Sequence, residues 1–176
     1  MSVRIVGLER HHDRADFDCG ERELNAHLQR LARQQAQRDF SRTYVAQLPN
    51  GDPGEAARIQ GFYSISSGSI DFRNLPAALK LPRYPVPVAR MGRLAVDLRA
   101  QGQGVGAALL AHAMHLSATL AQQIGIHALV VDAKHEAAAA FYARYGFQRF
   151  ADHGLSLFLT TDVIRRAFAV SAPTAS

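Results

Sequence analysis

A chain of 176 residues suits one compact domain, and an apolar fraction of 48% with 20% charged residues is the profile of a soluble globular protein. Its apolar runs all break well short of the roughly 20 residues a bilayer span needs, and the N-terminus lacks the apolar core of a signal peptide, so no membrane segment and a cytoplasmic location are expected. The formal charge is +5, and Lys80 and Lys134 are the only lysines among 20 basic residues; this arginine excess suits a polyanionic ligand such as CoA or RNA, although a GC-rich genome produces the same skew.

Arg4 to Leu8 alternates as a first strand, and His11 to Cys19 is polar and turn-like. His11 and His12 read as solvated loop histidines, because neighbouring side chains point apart and no Cys or carboxylate cluster completes a metal site. The lone Cys19 excludes an internal disulfide and reads as a packed small hydrophobe. Glu21 to Arg38 predicts a helix on the spacing of Leu24, Leu28 and Leu31. Its Arg22, Arg30, Arg33 and Arg38 spread over nearly half the circumference, as a basic surface or a plain solvated face.

Thr43 to Leu48 and Arg58 to Ser67 predict a hairpin across the turn Pro49 to Gly54. Four prolines between Asp71 and Val88 forbid a long helix there, leaving one short turn at Leu75 to Lys80. Ala89 to Asp97 returns to a strand, and Gly104 to Gln122 is a helix with Gly106, Leu109, Leu110, Ala113, Ser117 and Leu120 on one stripe. His112 and His115 lie off that stripe and read as exposed. Ile126 to Asp132 is a strand, Glu136 to Tyr145 a helix with Gly146 as its left-handed cap, and Phe147 to Thr160 a final hairpin. The order implies an α/β fold with a mixed sheet, residues 1–170 forming one domain and Ser171 to Ser176 a disordered tail.

The chemistry concentrates at Gly92-Arg93-Leu94-Ala95-Val96-Asp97, followed by Gln101-Gly102-Gln103-Gly104-Val105-Gly106. A strand entering a glycine-dense turn at a helix N-terminus is an anion site: backbone N–H groups converge, the helix dipole favours negative charge, and bare glycines let phosphate approach. A Walker loop is excluded because two alanines follow Gly106 where Lys and Ser or Thr are needed. A dinucleotide-binding turn belongs on the first strand of its domain, whereas this one lies past mid-chain. A glycine turn with no ligand stays open. No set of metal ligands stands out.

This stretch resembles the CoA-binding motif of the GNAT acetyltransferases, Gln/Arg-x-x-Gly-x-Gly/Ala, matched by Gln101, Gly104 and Gly106. Ala140-Phe141-Tyr142 with Tyr145-Gly146-Phe147 resembles the family's later motif. The resemblance implies the GNAT fold, acetyl-CoA as cofactor, backbone pairing of Leu94, Ala95 and Val96 with the pantetheine arm, and pyrophosphate on the loop from Gln101 through Gly102, Gln103, Gly104 and Val105 to Gly106. Tyr142 then corresponds to the tyrosine aimed at the CoA sulfur, a phenol suited to donating a proton to a thiolate; otherwise it is one aromatic in a cluster with Phe141, Tyr145 and Phe147. The general base is not visible, since Glu136, His135 and Asp97 are not fixed by spacing.

Phe17-Asp18-Cys19-Gly20, Gly61-Phe62-Tyr63-Ser64-Ile65, Tyr84-Pro85-Val86-Pro87 and Val131-Asp132-Ala133 together resemble the acetyltransferase toxins of type II toxin–antitoxin pairs. That resemblance implies aminoacyl-tRNA as acceptor, a homodimer, and a small DNA-binding antitoxin as partner. A GNAT enzyme for a small amine or a protein N-terminus, and a non-catalytic acyl-CoA-binding module, are the alternatives.

Overall fold

The computed structural model describes residues 3–49, 57–152 and 154–168; part of the expected Pro49 to Gly54 turn and all of the Ser171 to Ser176 tail lie outside them. The described strands form one mixed sheet in the order β1-β2-β3-β4-β5-β7-β6. They are β1 (Arg4–Gly7), β2 (Arg42–Gln47), β3 (Gly61–Ile70), β4 (Val86–Val96), β5 (Ala128–Asp132), β6 (Gln148–Arg149) and β7 (Ser156–Thr160). The α-helices are α1 (Arg22–Ala26), α2 (Ala32–Gln37), α3 (Val105–Leu120), α4 (Glu136–Ala143) and α5 (Thr161–Phe168). β4 and β5 run parallel, which requires the long crossover that α3 supplies; β1–β2, β2–β3, β5–β7 and β6–β7 are antiparallel.

The chain divides into two compact units, the first comprising residues 1–66 and 92–113 and the second residues 67–91 and 114–176. In the first, Phe17, Leu24, Leu28 and Ala32 pack against Val45, Ile59, Phe62 and Ala95. The helix expected from Glu21 to Arg38 forms, but a π-helical stretch at His27–Leu31 separates α1 from α2. The wider turn changes which residue faces inward: Ala32 is fully buried and Leu31 is 44% exposed. Gly61 sits where a β-carbon would lie 2.8 Å from the Ala95 carbonyl oxygen and 2.9 Å from Leu109 Cδ1. Only glycine lets this stretch of β3 come so close.

Cys19 is buried, as expected of a packed cysteine, and burial pushes its thiol upward. His12 corrects the reading of a solvated pair. It is buried, its Nδ1 accepts from the Glu9 N–H at 2.9 Å, and its Nε2 lies 2.9 Å from Gln47 Oε1. His112 is likewise engaged, with Nδ1 2.6 Å from the Tyr63 hydroxyl.

In the second unit, Ile70, Leu75, Val86, Val88, Ala128, Val130, Phe150 and Phe158 make the core. The proline-rich segment forms two 3-10 turns, Phe72–Asn74 and Ala77–Leu79, and β4 starts at Val86, three residues earlier than expected. α4 is capped by His135, whose Nδ1 accepts from the Ala138 N–H at 3.1 Å, and Gly146 beyond its end has φ +93°. The sequence reading ended in a hairpin; the structure adds α5 after β7, seated by the buried Ile164.

Candidate functional site

The loop between β4 and α3 is pinned at its base by Asp97. This carboxylate is 2% exposed and accepts from the Asp18 N–H at 3.1 Å, the Arg99 N–H at 2.9 Å, and Arg99 Nε and Nη2 at 2.9 and 3.0 Å. Burial works against its charge, but Arg99 and the two N–H groups outweigh it and hold the carboxyl down at about 2. The Asp97 N–H donates to the Gln60 carbonyl at 2.9 Å. The junction is therefore fixed from both sides.

Beyond it, Gln101 donates to the Val96 carbonyl at 3.1 Å and Gln103 to the Arg99 carbonyl at 3.4 Å. Both glutamines brace the loop with their side chains. Gly102 and Gly104 have φ +77° and +83°, and a β-carbon built on either would meet nothing within 4 Å. Glycine takes this backbone without strain, and the space above it is open. Residues 101–104 are exposed, while Val105 is buried as the first residue of α3. The first N–H groups of a helix have no partner within it, so the loop offers main-chain donors, open glycines and a positive dipole end. A phosphate group fits that cradle.

Of the strand residues, Ala95 is buried in the core, and Leu94 and Val96 are half-buried. The parallel β4–β5 ladder ends at Met91↔Val131, although β4 continues to Val96. Beyond that register β4 has no ladder partner on β5, and the Val96 carbonyl accepts from Gln101.

In the second unit, the Tyr142 ring is 5% exposed and packs against Phe141 and Phe147, with centroids 5.4 and 5.9 Å away. Phe147 is buried; Phe141 is only half-buried, with Tyr145 and the Arg144 guanidinium around it. The Tyr142 hydroxyl has no hydrogen-bond partner among the described residues and is not among the atoms sealed from solvent. Burial pushes its pKa up, and the charge of Asp132 pushes the same way. Asp132 accepts from Arg90 Nη1 at 2.9 Å and from Ser156 at 2.8 Å. This triplet across β4, β5 and β7 gives no local spacing signal in the sequence, because its members come from three separate strands.

The three groups named as possible bases are engaged elsewhere. Asp97 anchors the loop, His135 caps α4, and Glu136 is paired with Arg149 at 2.5 Å. Among the described residues, no three His, Cys, Asp or Glu side chains gather as metal ligands, and no helix is long and apolar enough to cross a membrane.

The sequence profile of the acetyltransferase (GNAT) domain matches residues 41–149. A tRNA-acetylating toxin of Mycobacterium tuberculosis is 34% identical over 149 residues, which cover 84% of this chain and 85% of the relative. A probable toxin TacT of Sinorhizobium fredii is 31% identical, covering 88% of each. Among solved structures, a tyrosine-to-phenylalanine mutant of KacT superposes with a TM-score of 0.87 at 32% identity, covering 96% of this chain and 100% of the other. AtaT complexed with acetyl-methionyl-tRNAfMet superposes with a TM-score of 0.85 at 31% identity, covering 95% and 99%. AtaT has also been solved with its antitoxin AtaR and acetyl-CoA, and both toxins with antitoxin and DNA.

Proposed function

Since the chain belongs to the GNAT acetyltransferase family, we propose that it is an acetyl-CoA-dependent N-acetyltransferase acting on the α-amine of aminoacyl-tRNA, a toxin that blocks translation by capping that amine. Bound acetyl-CoA supplies the acetyl thioester. The main chain of Leu94, Ala95 and Val96 would hold the pantetheine arm, and the loop from Gln101 to Gly106 the pyrophosphate. The side chains support this division of labour, because Ala95 and Val105 are buried in the protein and both loop glutamines brace the backbone.

Tyr142 carries the proton for the departing sulfur. The observation behind this role is a buried ring whose hydroxyl stays reachable and has no partner among the described residues. A phenol raised above its ordinary value remains protonated at neutral pH, as a donor must. The acceptor follows from similarity over most of the chain to a tRNA-acetylating toxin. It also suits the engaged state of Asp97, His135 and Glu136: an α-amine, with an ordinary pKa near 8 against about 10.4 for lysine, needs less help to lose its proton.

The same reading implies a cytoplasmic homodimer paired with a small DNA-binding antitoxin. Acetylation of charged but not deacylated tRNA, read by mass spectrometry of the aminoacyl-adenosine released by nuclease, is the expected result. Acetylation of a small amine or peptide with no charged tRNA modified would remove the toxin reading and leave the acetyltransferase. Replacing Gly104 by Ala places a methyl group in the open cradle and should abolish acetyl-CoA binding in calorimetry with the circular dichroism unchanged; unchanged affinity would remove the loop assignment.

A further inference from the structure

The turn from α2 into β2 presents an aromatic ring to solvent on a rigid mount. Phe40 is 62% exposed. Its own N–H donates to the Gln35 carbonyl at 2.9 Å, Asp39 beside it takes a left-handed φ of +58°, and Ser41 bonds the Gln35 side chain at 3.0 Å. Arg42 ties the turn from the other side, donating to the Ala36 carbonyl and to Asp39, both at 2.6 Å. The turn is closed on itself, so the ring stands out because its mount fixes it there.

One side of the ring is occupied by the Arg38 guanidinium, 5.0 Å from the centroid. Arg38 has no acidic partner among the described residues, and neither do Arg30 and Arg33 of the same helical segment. The one acid in the turn, Asp39, is paired with Arg42. The ring therefore has a cationic neighbour with an uncommitted charge.

We propose that Phe40 is a base-stacking anchor for single-stranded RNA, with Arg38 as its phosphate-side companion. A nucleobase has a flat face that an exposed phenyl ring can stack on, and the nucleotide carries the anion that Arg38 lacks. An apolar protein partner fits less well, because covering the ring would bury beside it a guanidinium with no counter-ion. Every tRNA ends in an unpaired stretch at the amino-acid end, so the inference rests on the tRNA reading above and adds to it the surface that grips the unpaired strand. Stacking tolerates any base, so this anchor contributes affinity without sequence preference.

The chain contains no tryptophan, so Phe40→Trp introduces a single indole that reports on its own surroundings. In the full-length protein, its emission should be quenched saturably by bulk tRNA and by a short single-stranded RNA, and far less by a blunt RNA duplex. Phe40→Ala should weaken tRNA binding in fluorescence anisotropy by roughly tenfold, Phe40→Leu should not restore it, and Phe40→Trp should; the KM for acetyl-CoA should stay unchanged in all three. Tight tRNA binding that leaves the indole emission and the Phe40→Ala affinity unaffected would overturn the anchor while leaving the acceptor assignment intact. An emission shift that depends only on protein concentration would overturn it in favour of a contact between two copies of the chain. Quenching by RNA in a protein that acetylates no charged tRNA would keep the anchor and remove the acceptor assignment.

Discussion

Tyr63 and Tyr142 are both buried, both carry a phenol pushed above its ordinary pKa by burial, and both lie among aromatic neighbours. They differ at one atom. The Tyr63 hydroxyl lies 2.6 Å from His112 Nδ1, and its ring stacks on Tyr44 at 5.2 Å; the Tyr142 hydroxyl has no such partner among the described residues. A phenol placed for packing usually satisfies its hydroxyl inside the protein, because an unmet buried donor costs about 1–3 kcal/mol. The free hydroxyl of Tyr142 is what the proposed role as proton donor to the CoA sulfur accounts for, and the contrast with Tyr63 can be tested.

The largest test of that contrast is Tyr142→Phe. The ring and its packing against Phe141 and Phe147 stay, and only the donor is lost, so the chemical step should slow by roughly 10²-fold or more. Affinity for acetyl-CoA and thermal stability should hardly move. Because burial and Asp132 both raise the phenol, the rate of the unaltered enzyme should not fall on the alkaline side until pH exceeds the ordinary tyrosine value. Single-turnover rates across pH measure both. A variant as fast as the parent, with chemistry limiting, would make Tyr142 a second Tyr63.

His27 probes the contrast from another direction, since its Nδ1 is also buried without a hydrogen-bond partner. What separates it from Tyr142 is access: His27 is 2% exposed and that atom is sealed, with Nε2 3.2 Å from Ser64 on the other side of the ring. Nothing can reach it, and the consequence appears as a shifted pKa. Burial, with the charge of Arg93 adding to it, depresses the imidazole from 6.5 to about 4. The unfolded chain therefore binds a proton that the folded one refuses. Stability from this group is complete above pH 6.5, falls as pH drops towards about 4, and levels off below that. The loss is on the order of 3 kcal/mol in total. His27→Gln should flatten that part of the stability–pH curve in urea titrations, and an unchanged slope would assign the acid sensitivity to another group.

These side chains also mark where sequence reading succeeds and where it stops. The geometry of the loop from Gln101 to Gly106 was legible because it is local: two left-handed glycines and a helix start within six residues need no distant partner. Tyr142 was singled out by the resemblance of Ala140-Phe141-Tyr142 and Tyr145-Gly146-Phe147 to the family's later motif, and its burial against Phe141 and Phe147 is what the structure adds. His12 and His112 were misread because their partners, Gln47 and Tyr63, lie 35 and 49 residues away. Regular spacing also fails at the π-helical turn, where a change in winding turns Leu31 outward and Ala32 inward with no marker in composition. Two prolines hid the start of β4 at Val86, since the strand accommodates Pro87 as an exposed residue. α5 was passed over although Val163, Ile164, Ala167 and Phe168 recur at helical spacing, because the eight-residue stretch follows β7 directly with no turn residues to mark its start.

The smallest effect, and the one that completes the contrast, is expected of Tyr63→Phe. The substitution keeps the ring on Tyr44 and removes only the hydroxyl opposite His112. A hydrogen bond of this kind is worth about 1 kcal/mol net, and the phenyl ring fills the same space, so no cavity adds to the cost. Urea denaturation should shift by that amount with an unchanged m-value. The acetyl-transfer rate should stay within about twofold, since a change that leaves the transition state untouched leaves the barrier untouched. The two tyrosines would then exchange signatures: one substitution lowers rate and spares stability, the other lowers stability and spares rate. Should Tyr63→Phe slow transfer while its stability matched the parent, the Tyr63–His112 pair would have to be counted among the groups that serve the reaction, and a satisfied hydroxyl could no longer be taken as the sign of a structural tyrosine in this protein.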